Sequence, residues 1–189
     1  IPSHGLYGEV ANTTIVYNHG RYAGIDHYLP RIQLLHALGY NVFTWDYRGY
    51  GKSQPSTYPD TVDWMSDALA VYDAAAIQAP NPNKIILYGQ SVGGHPTGEM
   101  GDKRPACAIF FESAALSNTS KVEDNTSLTM PFSFISSGVL EVDAKFEDIT
   151  TPILMMHGAL DLRVSLRSAE VFFDGLPDDI NKELIIFEE

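Results

Sequence analysis

The chain has 189 residues, 44% of them hydrophobic, enough for one domain with a buried core. Its net charge of -12 sets it against phosphate backbones and anionic lipid, so nucleic acid and membrane surfaces are poor candidate partners. No apolar run reaches membrane-spanning length, no signal-peptide pattern opens the chain, and a lone cysteine, Cys107, excludes a disulfide framework. The chain starts at Ile1 rather than Met, so an N-terminal piece is expected to be missing or processed off.

Thr13–Tyr17 is the first strand-like run, and Asn18-His19-Gly20-Arg21 follows it. Asp26–Leu38 is helix-like, with Ile32, Leu35 and Leu38 at helical spacing. Tyr40–Trp45 is the second strand-like run, followed by the glycine-rich loop Asp46–Ser53. Gly51-Lys52-Ser53 mimics the end of a phosphate-binding loop, but Asp46, an anion, stands where that motif needs its first glycine. A dinucleotide fingerprint fails as well, because Gln54 takes the place of its third glycine. Asp46 and Arg48 are expected to pair and brace this loop. Thr61–Gln78 carries Val62, Met65, Leu69, Tyr72 and Ala76 on a helical repeat.

Lys84–Tyr88 is the third strand-like run, and directly behind it stands Gly89-Gln90-Ser91-Val92-Gly93. A serine hydroxyl becomes a useful nucleophile when it is held clear of the backbone, where a base can reach it. A sharp strand-to-helix turn does this, and Gly89 and Gly93 remove side chains that would clash in so tight a bend. Val92 then opens a helix, where its N–H can point at a developing oxyanion. Pro96, Gly98 and Gly101 follow closely, so that helix is expected to be short or poorly formed.

Ala106–Phe111 is a fourth strand-like run, with Cys107 read as a small buried hydrophobe and Glu112 at its end. Ser113–Lys145, rich in Ser, Thr and Asn, breaks the rhythm and is expected to form a small lid. Ile153–Met156 is a fifth run, followed by His157-Gly158-Ala159-Leu160-Asp161. Ser165–Leu176 is helix-like and Glu183–Phe187 is the last strand. Short apolar runs alternating with helices predict a mostly parallel sheet flanked by helices, a single α/β domain over 1–189. Active sites in such sheets form at the carboxyl ends of strands. Nothing suggests a metal: there is no H-E-x-x-H, and His95 and Glu99 are separated by Pro96 and Gly98. The sequons at Asn12, Asn118 and Asn125 would matter only in a secreted chain, and the compartment is open.

Four segments in register resemble the α/β-hydrolase superfamily, in its single-domain serine esterase-like branch. Asn18–Arg21 is similar to its His-Gly oxyanion loop, Asp46–Ser53 to its D-x-R-G-x-G-x-S loop, Gly89–Gly93 to its nucleophile elbow, and His157–Asp161 to its H-G-x-x-D segment. The resemblance spans Thr13 to about Glu189. It implies Ser91 as nucleophile, Asp161 as the acid that orients a histidine, and the backbone N–H groups of Arg21 and Val92 as oxyanion donors. Glu112 is a rival acid, since some members place theirs after that strand. His19 and His157 would brace loops.

The expected order is Ser, acid, His, yet all six histidines precede Asp161. The missing base is expected just beyond Glu189. His95 as a substitute, or a non-catalytic homologue, is the alternative. The implied activity is cofactor-free, metal-free cleavage of an ester or related acyl bond in a small-molecule acyl substrate. Non-catalytic ligand or partner binding is the rival reading, and acyl transfer or perhydrolysis a third. Substrate and oligomeric state are not read from these residues.

Overall fold

The computed structural model describes residues 12–53, 61–116, 142 and 145–188. Six strands form one parallel sheet: β1 (Thr14–Asn18), β2 (Asn41–Thr44), β3 (Ile85–Gln90), β4 (Ala108–Glu112), β5 (Ile153–Gly158) and β6 (Lys182–Phe187). Their spatial order is β2-β1-β3-β4-β5-β6. Among the described residues the helices are α1 (Leu29–Ala37), α2 (Thr61–Gln78), α3 (Gly94–Lys103) and α4 (Leu166–Gly175). A 3₁₀ turn, Ile25–Tyr28, leads into α1, and Pro30 sits in the first turn of α1, where a missing N–H costs nothing.

Side-chain alternation divides the core in two. Val16, Leu87, Ile109, Phe111 and Met155 face one way and join Ala68 and Tyr72 of α2, Met100 of α3 and Phe172 of α4. Ile15, Tyr17, Val42, Ile86 and Tyr88 face the other way and pack with Ile32 and Leu35 of α1. The expectation of strands buried on both faces holds for β1 and β3, which lie at the centre. In β4 and β5 every second residue is only half-buried, and β6 at the sheet edge leaves Phe187 53% exposed. Among the described residues α1 is the helix covering the second face, and it lies over β1 to β3.

The helix after Ser91 is better formed than its composition suggests. It runs ten residues and is preceded by the 3₁₀ turn Ser91–Gly93. Pro96 falls in its first turn, and Gly98 lets the helix approach Val142: an added Cβ would lie 2.4 Å from Cγ1 of Val142. Close packing of this helix, not helix breaking, explains that glycine.

The Asp46–Arg48 pair does not form. Arg48 instead grips α2, with Nε 2.5 Å from Oδ2 of Asp67 and Nη1 2.8 Å from Oδ2 of Asp63. Asp46 accepts the N–H groups of Ile25 (2.7 Å) and Lys52 (3.0 Å), so its charge stabilises turn backbone. Of the expected lid, residues 117–141 and 143–144 lie outside the described residues.

Candidate active site

The order of strands positions the site. From β1 the chain moves outward to β2, then returns past β1 to β3. The carboxyl ends of β1 and β3 therefore flank a switch point, the place where open α/β sheets bind ligands. Asn18 pairs with Gly89 there, which sets the His19–Arg21 loop beside Ser91.

Ser91 has φ +53°, a left-handed conformation that an L residue adopts at a cost of roughly 1–3 kcal/mol. The turn is held from both sides. A Cβ on Gly93 would lie 2.0 Å from the carbonyl oxygen of Asn18, so β1 and the elbow touch backbone to backbone. Asn18 is fully buried; its Nδ2 donates to Oγ1 of Thr97 on α3 (2.7 Å), and its Oδ1 accepts from Nε1 of Trp45 (2.8 Å). On the far side the N–H of Ala115 donates to the Ser91 carbonyl at 2.8 Å.

Ser91, Val92, Arg21 and Asp161 line one open cleft of about 290 Å³. A larger cavity of about 810 Å³, lined by Trp45, Asp46, Arg48 and Asp67, lies beside α2 and holds none of these four residues. Size thus points away from the elbow, while the strained serine points to the smaller cleft.

The two candidate acids differ in how they are used. Burial alone would raise the Asp161 carboxyl, but hydrogen bonds from the N–H groups of Val164 and Arg163, the Ser113 hydroxyl and nearby His157 outweigh it and hold it below the usual carboxylate range. Oδ1 of Asp161 takes both N–H groups, at 2.8 Å from Arg163 and 3.1 Å from Val164. Glu112 is bound to Arg31 by two parallel hydrogen bonds (2.6 and 2.7 Å), and the Tyr88 hydroxyl donates to the same carboxylate at 2.5 Å. Arg31 Nη1 also reaches Tyr88 Oη at 3.2 Å. Glu112 is thus committed to a structural network linking α1, β3 and β4.

The histidines separate in the same way. His19 is fully buried, stacked on Tyr28 and Tyr47, and its Nδ1 donates to the Gly20 carbonyl at 2.7 Å. Burial, chiefly, pushes its pKa down, against the opposing pull of the Gly20 carbonyl and Asp46. His157 is buried, and its Nε2 donates to the Val164 carbonyl at 2.8 Å, bracing the loop that carries Asp161. His95 is buried in α3, 6.2 Å from the Trp64 ring, and is absent from the cleft lining. His4 lies outside the described residues. His27 does line the cleft, with Tyr22, Tyr28 and Arg163. None of these four was singled out from the sequence. For Tyr22, His27 and Tyr28 the signal available was the density of aromatic and basic residues after His19-Gly20; Arg163 stands two residues after Asp161.

Among the described residues there is no cluster of three or more side chains able to hold a metal ion, and no helix long and apolar enough to cross a membrane.

A family model described as serine aminopeptidase, S33 matches residues 9–137. The mouse alpha/beta hydrolase domain-containing protein 17C is 27% identical over 166 residues, 87% of this chain and 50% of that protein. The chain thus spans about half the length of the curated relatives it matches. An esterase from Pyrococcus furiosus superposes with a TM-score of 0.74 at 20% identity, covering 100% of this chain and 80% of the other. An esterase from Exiguobacterium antarcticum does so with a TM-score of 0.69 at 18% identity, covering 100% and 90%. With a parallel sheet, a strained elbow serine and a family match over more than half its length, the chain belongs to the α/β-hydrolase superfamily.

Proposed function

We propose that this chain is the core of a serine hydrolase that cleaves a carboxylic ester, or a related acyl bond, through an acyl-enzyme on Ser91. The observation that carries the reading is the positive φ of Ser91, at a strand-to-helix turn that opens into the cleft shared with Asp161. Strain of this kind, maintained by surrounding backbone, is characteristic of working sites.

The roles follow from position. Ser91 Oγ attacks the acyl carbon and gives up its proton to a base. The N–H groups of Arg21 and Val92 receive the charge that develops on the carbonyl oxygen, each worth roughly 3–4 kcal/mol in comparable sites. The base returns the proton to the departing alcohol, and water then releases the acyl group by the same steps. Asp161, held ionised by its backbone donors, orients the base and stabilises its cation. We assign that base to a histidine delivered at the carboxyl end of β6. The support is register: Gly158 lies beside Phe187, and the Ala159 N–H donates to the Phe187 carbonyl at 2.7 Å. The carboxyl end of β6 therefore opens next to the Asp161 turn.

A fluorophosphonate probe tests the reading directly. The full-length protein is expected to label on Ser91, and Ser91→Ala to abolish both labelling and p-nitrophenyl ester turnover. Absence of labelling in folded full-length protein would replace the hydrolase with a non-catalytic ligand- or partner-binding homologue.

A further inference from the structure

In a chain of net charge -12 a guanidinium rarely lacks a counter-charge. Arg31 meets Glu112, Arg48 meets Asp63 and Asp67, and Arg104 meets Asp73. Arg167 is engaged as well. Arg21 and Arg163 are the two remaining arginines, and among the described residues neither has a carboxylate partner. Both line the Ser91 cleft.

They reach it from opposite sides. Arg21 follows β1 and Arg163 follows β5, while β3, which carries Ser91, lies between those strands. Arg163 is held in place: its Cζ lies 5.7 Å from the centre of the Tyr22 ring, which stacks on His27 at 5.3 Å. Neither carboxylate in the lining forms an ion pair with these guanidinium groups, although Asp161 is itself ionised. Glu112 is taken by Arg31, and Asp161 Oδ1 by backbone N–H groups. Two cations from separate loops thus line a small cleft, and among the described residues neither is ion-paired with a carboxylate, an arrangement that suits a bound carboxylate.

We propose that the cleft takes an ester whose acyl or alcohol part carries a carboxylate, such as the half-ester of a short dicarboxylic acid, held between Arg21 and Arg163 while the ester carbonyl lies at Ser91. The proposal rests on the Ser91 reading for the ester, but not for the anion. A cleft of about 290 Å³ favours a short chain.

The test separates the two. Full-length Ser91→Ala protein is titrated calorimetrically with monomethyl glutarate and with uncharged dimethyl glutarate. The anion is expected to bind about fivefold more tightly or better, the scale of one or two exposed guanidinium–carboxylate contacts. Adding Arg21→Gln and Arg163→Gln should erase that preference, and Arg163→Glu should reverse it, with circular dichroism checking that each variant is folded. Equal binding of the two ligands, or a preference that survives the double substitution, overturns the proposal. If the preference holds while the wild-type chain neither labels nor turns over any ester, the anion site stands and the hydrolase reading falls. If p-nitrophenyl esters are cleaved but no preference appears, the hydrolase stands and the anion site falls.

Discussion

Two carboxylates line the cleft, and their different hydrogen-bond partners predict opposite consequences when each is neutralised. Glu112→Gln breaks a network: Arg31 loses its charged partner in a bidentate pair whose side chains are 35% and 20% exposed. Removing one partner of a fully buried pair costs about 3–5 kcal/mol, whereas exposed pairs are worth below about 1 kcal/mol. At this intermediate exposure, and with the Tyr88 hydroxyl still able to donate to the amide oxygen, the expected loss is about 1–2 kcal/mol. For a domain of this size that is roughly a 2–8 °C fall in Tm. Turnover should remain within about tenfold, the rate equivalent of 1.4 kcal/mol. Asp161→Asn should behave in the reverse way. Its stability cost is small because Asn Oδ1 can still accept the Arg163 and Val164 N–H groups, yet turnover should fall by roughly 10⁴, as when a triad aspartate is made neutral. Urea unfolding followed by tryptophan fluorescence, with p-nitrophenyl ester turnover of the full-length protein, reads both quantities. If Glu112→Gln costs more rate than Asp161→Asn, the acid belongs on β4 and the reasoning from hydrogen-bond commitment is wrong.

Gly93→Ala should be severely destabilising or fail to accumulate, since its Cβ would stand 2.0 Å from a backbone oxygen that cannot rotate away; a Tm within a few degrees of wild type would contradict the close contact. Phe172→Ala should lose about 3–5 kcal/mol in chemical unfolding, because its buried ring packs on Phe111 at 5.6 Å and Phe146 at 5.7 Å; a loss below about 1 kcal/mol would mean that the site collapses freely. Asp161 is depressed in the folded state, so the stability it contributes is present above its ordinary value of 3.8 and lost as pH falls through the lower folded value. Unfolding free energies of Asp161→Asn should accordingly decline less steeply below pH 4 than those of the wild type, and parallel acid limbs would refute the shift.

The strand runs and helical repeats were legible in the residues because each is a local pattern: six apolar runs bounded by turn residues became six strands, and Thr61–Gln78 became a helix with those same ends. The elbow was legible for a similar reason, since Gly89–Gly93 encodes its own tight turn and Ser91 adopts the positive φ that such a turn imposes. Pairings across the fold were not. Nothing local distinguishes Asp46 from Asp63 and Asp67 as the partner of Arg48; the docking of α2 decides it. Gly98 reads as a helix breaker until Val142 is packed against it. Glu112 and Asp161 are both carboxylates that follow apolar strands, and the approach of Arg31 from α1, which no local pattern announces, commits Glu112 to structure. Arg21 and Arg163 stand far apart in the chain, and they line one cleft because β1, β3 and β5 run parallel and so end at the same carboxyl end of the sheet. Local geometry follows from neighbouring residues, whereas the partner of a charge depends on which distant element the packed core carries to it.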